Sequence, residues 1–213
     1  MSGFDELKGI TPRQLDELAA PLYEGLGRSL AKWQYVETSM FILAHAIMRC
    51  EYKYSSTAFY LLRGADIKLQ LLNRLCEAHF SKELLKREWE PTYKDLSNAI
   101  KFRNGLAHFE VNYFKDPERK YLKEGDPPVV LSPHHTDVRE SGKPMVKGAM
   151  LHNLNEAAAL HVILAQRLVS LVRRHFSPEE LRATQLPHQW LRLLWNTEDN
   201  PQSAQSPPSP SRR

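Results

Sequence analysis

Three residue types within one short stretch could together move a phosphoryl group without a metal. Between Ile100 and Phe109 the chain reads I-K-F-R-N-G-L-A-H-F. Arg103 offers a planar donor fork for phosphate oxygens, His108 can carry a proton near neutral pH, and Asn104 can orient either of them. Spacing alone is weak support, because Arg74 and His79 in R-L-C-E-A-H repeat it, with apolar Leu75 where Asn104 follows Arg103. The elements that carry each pair must decide between them.

Leu96, Ile100, Arg103 and Ala107 recur at helical spacing, which places Arg103 on the apolar face of a helix that follows Pro91. At about 100° per residue His108 lies about 140° round from Arg103, whereas Asn104 lies only about 40° from His108. Asn104 can thus orient the imidazole directly. Convergence of Arg103 and His108 needs a distorted helix end, a long reach by the arginine, or a second copy of the helix. The structural alternative is a core ion pair of Arg103 with Glu37, with Asn104 and His108 ending the helix through hydrogen bonds.

Glu37 has its own claim on a partner. Leu26, Leu30, Trp33, Met40, Ala44 and Ile47 form one helical stripe, and a carboxylate among them must meet an arginine or another buried donor. Upstream, Thr11-Pro12-Arg13-Gln14 reads as a capping box that opens a helix ending at Pro21. Ser55-Ser56-Thr57 predicts the cap of a third helix with the face Leu61, Ala65, Leu69, Leu72 and Cys76, ending near Phe80; a short amphipathic piece spans Ser81 to Trp89.

Past His108 the pattern alternates in Phe109-Glu110-Val111-Asn112-Tyr113, and Val129-Val130-Leu131 reads as a second strand, so a small hairpin or ordered loop is expected. His134 and His135 fall in the loop-rich stretch Asp116 to Lys147 and read as solvent-exposed. Asn153-Leu154-Asn155-Glu156 reads as an N-cap before a long amphipathic helix through Val172, and Ser177-Pro178-Glu179-Glu180 opens another. Trp190 to Trp195 either covers the core or joins a partner. The fold class is all-α: a bundle of four to five main helices, residues 1–195, with an insertion at 109–150 and a disordered Pro/Ser-rich tail at 196–213.

Composition narrows the chemistry further. The net charge of +4 permits nucleic acid without announcing it, and Cys50 and Cys76 show neither C-x-x-C nor a partner cluster, so they read as buried apolar residues in a reducing compartment. No metal site and no cofactor is expected, since Walker, Gly-x-Gly-x-x-Gly, Gly-x-Ser-x-Gly and His-Glu-x-x-His patterns do not occur. The longest uncharged apolar stretch, Met40 to Met48, is too short for a bilayer, and M-S-G-F-D-E-L-K has no apolar h-region, so a cytoplasmic location without membrane contact is expected.

Arg103-Asn104-Gly105-Leu106-Ala107-His108 resembles the R-polar-x-x-x-H signature of the HEPN superfamily, all-helical proteins that include metal-independent endoribonucleases and non-catalytic members. Trp33-x-x-x-Glu37 and Leu96 to Ile100 are similar to an uncharacterised bacterial HEPN-like group, and the likeness covers roughly residues 20 to 175. It implies that Arg103 contacts phosphate, Asn104 orients, and His108 transfers the proton; Glu37, Glu110 and Tyr113 stand beside them as supporting candidates, Glu110 either repelling phosphate or adding an acid/base group. It also implies a homodimer with two copies of the motif at one groove, an RNA substrate, and stress or phage-defence biology. Toxins of the HEPN–nucleotidyltransferase pairs have tyrosine two residues after the histidine, where this chain has Glu110, and Tyr113 comes later. The alternative reading is a non-catalytic module that binds a protein partner or a nucleotide.

Overall fold

The computed structural model describes residues 11–106, 109–113, 123–127, 129–133 and 149–195. His108, His134, His135 and the tail 196–213 lie outside the described residues, as do the side chains of Glu110 and Tyr113. The architecture is all-α, a helical bundle with one two-stranded sheet. In chain order the elements are α1 (Pro12–Met48), α2 (Tyr52–Leu61), α3 (Ala65–His79), α4 (Lys82–Leu84), a π-helical turn (Leu85–Trp89), α5 (Glu90–Leu106), β1 (Phe109–Tyr113), β2 (Val129–Pro133), α6 (Leu151–His175), α7 (Pro178–Ala183) and α8 (His188–Trp195).

The expected break at Pro21 does not occur. Helix α1 runs 37 residues through it, opened by the Thr11–Gln14 capping box. A mid-helix proline removes one backbone hydrogen bond, but Pro21 is exposed, so the freed carbonyl one turn earlier faces water. The flanking face supplies compensation, since Leu22, Gly25, Ser29, Trp33, Val36 and Met40 are all buried at helical spacing. Leu30, which was expected on this stripe, is 37% exposed.

The expected third helix is two helices. Gly64, at φ +95°, adopts a conformation that side-chain-bearing residues avoid, and the chain turns there between α2 and α3. Leu61 is consequently 72% exposed, off the inward face that Ala65, Leu69, Leu72 and Cys76 do form. Ser55 does not cap; α2 starts three residues earlier, and Ser55 is buried against His45. Helix α6 likewise starts two residues before Asn153, whose Oδ1 accepts the Met150 N–H at 3.0 Å.

Helices α1 and α6 pack along each other and contribute to both apolar clusters. The larger cluster joins Trp33 to Ala46 of α1 with α2, α3, α5 and the lower half of α6, and α8 closes it through Leu191 and Leu194. The smaller one joins Leu18, Leu22 and Leu26 of α1 to Phe102 and Leu106 of α5, Phe109, Val111, Val129 and Leu131 of the hairpin, and Leu151 and Leu154 of α6. The hairpin is antiparallel, Phe109 opposite Pro133 and Tyr113 opposite Val129, as its alternation predicts. No helix of the described residues is long and apolar enough to cross a membrane.

Candidate functional site

Arg103 lies in the last turn of α5, between Phe102 and Leu106, two anchors of the smaller cluster. That position leaves the guanidinium half-buried at the edge of apolar packing. Its Nη1 donates to Asn104 Oδ1 at 3.1 Å, and its Nε is buried with no acceptor. Among the described residues no carboxylate forms an ion pair with it. The amide of Asn104 therefore steadies the arginine. The imidazole that helical spacing places beside it belongs to His108, outside the described residues.

The Arg103–Glu37 pair expected as the structural alternative does not form. Lys68 of α3 takes Glu37: its Nζ donates to Glu37 Oε1, both groups well inside the protein. The same ammonium sits over the rings of Phe59 and Tyr60, at 5.4 and 5.1 Å from their centroids. Burial, and then the Glu37 charge, push the Tyr60 phenol up to about 12. Helix geometry explains the exchange of partners. Arg103 is anchored beside Leu22 and Leu26, and Glu37 lies about 16 Å further along α1 than Leu26, beyond the reach of the side chain.

The second arginine–histidine pair forms no site. Arg74 is largely exposed and bonded to Glu77, and the ring of His79 stacks on Phe176. Cys76 is fully buried, and burial pushes its thiol well above the usual range, while Cys50 is only half-buried. Among the described residues no group of three His, Cys, Asp or Glu side chains could hold a metal.

Two polar clusters were not legible in the sequence. Asp126, in the turn before β2, accepts the backbone N–H of Lys123 at 2.8 Å and of His152 at 2.9 Å, and its Oδ2 lies 2.5 Å from His152 Nδ1. Burial alone would raise its carboxyl, but these donors hold it below the ordinary carboxylate value. It thereby caps α6 from a loop 26 residues away and docks the hairpin on that helix. In the π-helical turn, Glu88 receives Arg87 at 2.7 Å and Arg174 of α6 at 2.8 Å. No local spacing announces contacts between such distant positions.

No family model, curated protein or solved structure matches the chain. The chemistry of the site therefore rests on its residues. Among the described residues the half-buried guanidinium is held by a neutral amide and by no carboxylate, and the planar fork of an arginine suits phosphate or carboxylate oxygens.

Proposed function

We propose that the protein is a metal-independent endoribonuclease of HEPN type, acting as a homodimer through Arg103, Asn104 and His108. The observation that carries this reading is the state of Arg103: a positive charge set into apolar packing, steadied by Asn104 and lacking a carboxylate partner among the described residues. A half-buried charge without a carboxylate is only partly compensated by water, and an incoming phosphodiester would supply the counter-ion to its fork.

Cleavage of RNA without metal needs a base for the 2′-hydroxyl, an acid for the leaving 5′-oxygen, and cationic donors for the charge that builds on phosphorus. In this assignment Arg103 supplies the cationic contact and His108 the proton carrier. Two copies across a two-fold groove supply both base and acid. Glu110 and Tyr113, beyond His108 on β1, stand as supporting groups.

The test is cleavage of a single-stranded RNA by the purified chain in excess EDTA. The expected result is products ending in 2′,3′-cyclic phosphate, lost in Arg103→Ala and in His108→Ala. RNA left intact by the dimer throughout the neutral range overturns the assignment.

A further inference from the structure

The outer face of α6 carries a shallow, open groove of about 580 Å³ lined by Ile163, Gln166, Arg167, Ser170, Arg173 and Arg174. Three of its six residues are arginines, and none of them is an acid. Two of those arginines also tie α6 to the α5 side of the bundle, Arg167 to Asp95 at 2.6 Å and Arg174 to Glu88 at 2.8 Å. Glu88 is the inner member of its pair, 12% exposed against 55% for the Arg174 side chain, whereas Asp95 at 39% is nearly as exposed as Arg167 at 46%. Each guanidinium has five donors in a fixed plane; Arg167 gives one to Asp95, and Arg174, paired with Glu88, gives its Nε to the Ser170 carbonyl at 3.2 Å, so donors remain for a second acceptor.

The same two ion pairs set the register of the neighbouring helices. Asp95 and Glu88 are seven residues apart, and so are Arg174 and Arg167, in the opposite chain direction. The segments are therefore antiparallel, and Arg103, beyond Asp95 on α5, stands level with Ala159 of α6. At 1.5 Å per residue that level is about 6 Å past Ile163, the near end of the groove, and about 12 Å past Arg167. The groove thus runs along α6 toward the end of the bundle that holds Arg103.

We propose that this groove tracks the sugar–phosphate backbone of single-stranded RNA, holding the nucleotides that flank the phosphate at Arg103. Arg167 and Arg174 contact successive stretches of backbone, Gln166 and Ser170 add neutral hydrogen bonds, and Ile163, 45% exposed, offers an apolar seat to a base or ribose. The substrate class comes from the reading of Arg103 as a ribonuclease site. The binding face itself stands on the charge and shape of α6.

The experiment measures binding of a fluorescent oligouridine to the full chain carrying His108→Ala, which keeps the probe intact, over a series of salt concentrations. Arg167→Gln with Arg174→Gln is expected to weaken binding roughly tenfold at low salt and to flatten the salt dependence by about 0.7 per lost phosphate contact. Because those changes also remove two surface ion pairs, Gln166→Arg provides the converse arm: it adds a charge, breaks no pair, and is expected to tighten binding and steepen the salt slope. Unchanged affinity and slope in both variants overturns the proposal, and so does equal arginine-dependent binding of polyglutamate, which would make the partner an acidic protein. If RNA is cleaved and cleavage depends on Arg103 but ignores both groove variants, the groove falls and the ribonuclease reading stands. Groove-dependent binding by a wild-type chain that cleaves nothing has the opposite outcome.

Discussion

Two charged side chains set into apolar surroundings meet opposite treatment in this molecule. Lys68 finds a carboxylate in Glu37 and two aromatic faces in Phe59 and Tyr60, so its charge is answered on every side that water has left. Arg103, in the last turn of α5, has among the described residues only the neutral amide of Asn104 and a buried N–H without an acceptor. A protein that stabilises its interior closes such accounts internally, as it does at Lys68. Among the described residues Arg103 has no carboxylate partner, and the proposed phosphate contact would supply the counter-ion, so the contrast with Lys68 is what the proposed function predicts.

The largest effect that could break this contrast is on catalysis. Arg103→Ala and His108→Ala are each expected to lower the RNA cleavage rate by about 10² to 10⁴, the range for removing a proton carrier or a transition-state donor. For Arg103→Ala the melting temperature should hold or rise slightly, because an unanswered charge is removed. A large fall in melting temperature would make Arg103 structural and erase the difference from Lys68.

Next in size is the closed pair. Lys68→Met alone strands Glu37 inside the protein and is expected to cost about 3–5 kcal/mol in denaturant unfolding, whereas Lys68→Met with Glu37→Leu should recover most of that. Equal losses in the single and double variants would show that packing, not charge, dominates the site.

His45 tests the closed region by pH. Its ring is fully buried between Ser55 Oγ and Thr184 Oγ1, each 2.7 Å away, and burial lowers its pKa from 6.5 to about 4. A neutral ring has one N–H, so one of the two hydroxyls must donate to the bare nitrogen in place of its carbonyl partner, Tyr52 or Leu181. Between the two pKa values the unfolded chain binds a proton that the folded chain refuses. The contribution of His45 is therefore complete above about pH 6.5 and declines as pH falls toward 4, and unfolding measured over that window in His45→Gln should show a flatter slope. A slope unaltered by the substitution would assign the acid sensitivity elsewhere.

The smallest effect concerns the helix contact beneath the open site. A Cβ at Gly25 would come within 2.7 Å of Leu151 Cδ1, the movable tip of a side chain in the smaller cluster. Gly25→Ala is expected to cost about 1 kcal/mol in a thermal melt, with the gain in helix propensity offsetting part of the overpacking. A clear stabilisation would mean that α1 and α6 have room to spare at that level.

Much of this architecture follows from local signals. The Ser177 capping box, the alternation in Phe109–Tyr113 and the stripe from Trp33 to Ala44 each appear where their patterns predict, because capping and periodicity depend only on near neighbours. That Glu37 needs a partner was legible too; that the partner is Lys68 was not, since the pairing depends on how α3 lies against α1. Pro21 misled because a local cost was outweighed by a face that packs on α6, over a hundred residues later. At the candidate site the motif and its helix were legible. The Asn104–Arg103 bond, the capping of α6 by Asp126 and the arginine groove depend on rotamers and long-range docking that periodicity does not carry.

The unbroken α1 has a consequence during synthesis. It is about 55 Å long, and its inward face is covered chiefly by α6, which begins only at Leu151. At 5–20 residues per second, the stripe from Leu22 to Met40 waits on the order of ten seconds after translation before its partner helix exists. For that interval the apolar stripe of α1 lacks the helix that covers it in the folded protein, so completing this part of the core waits on residues more than a hundred positions later.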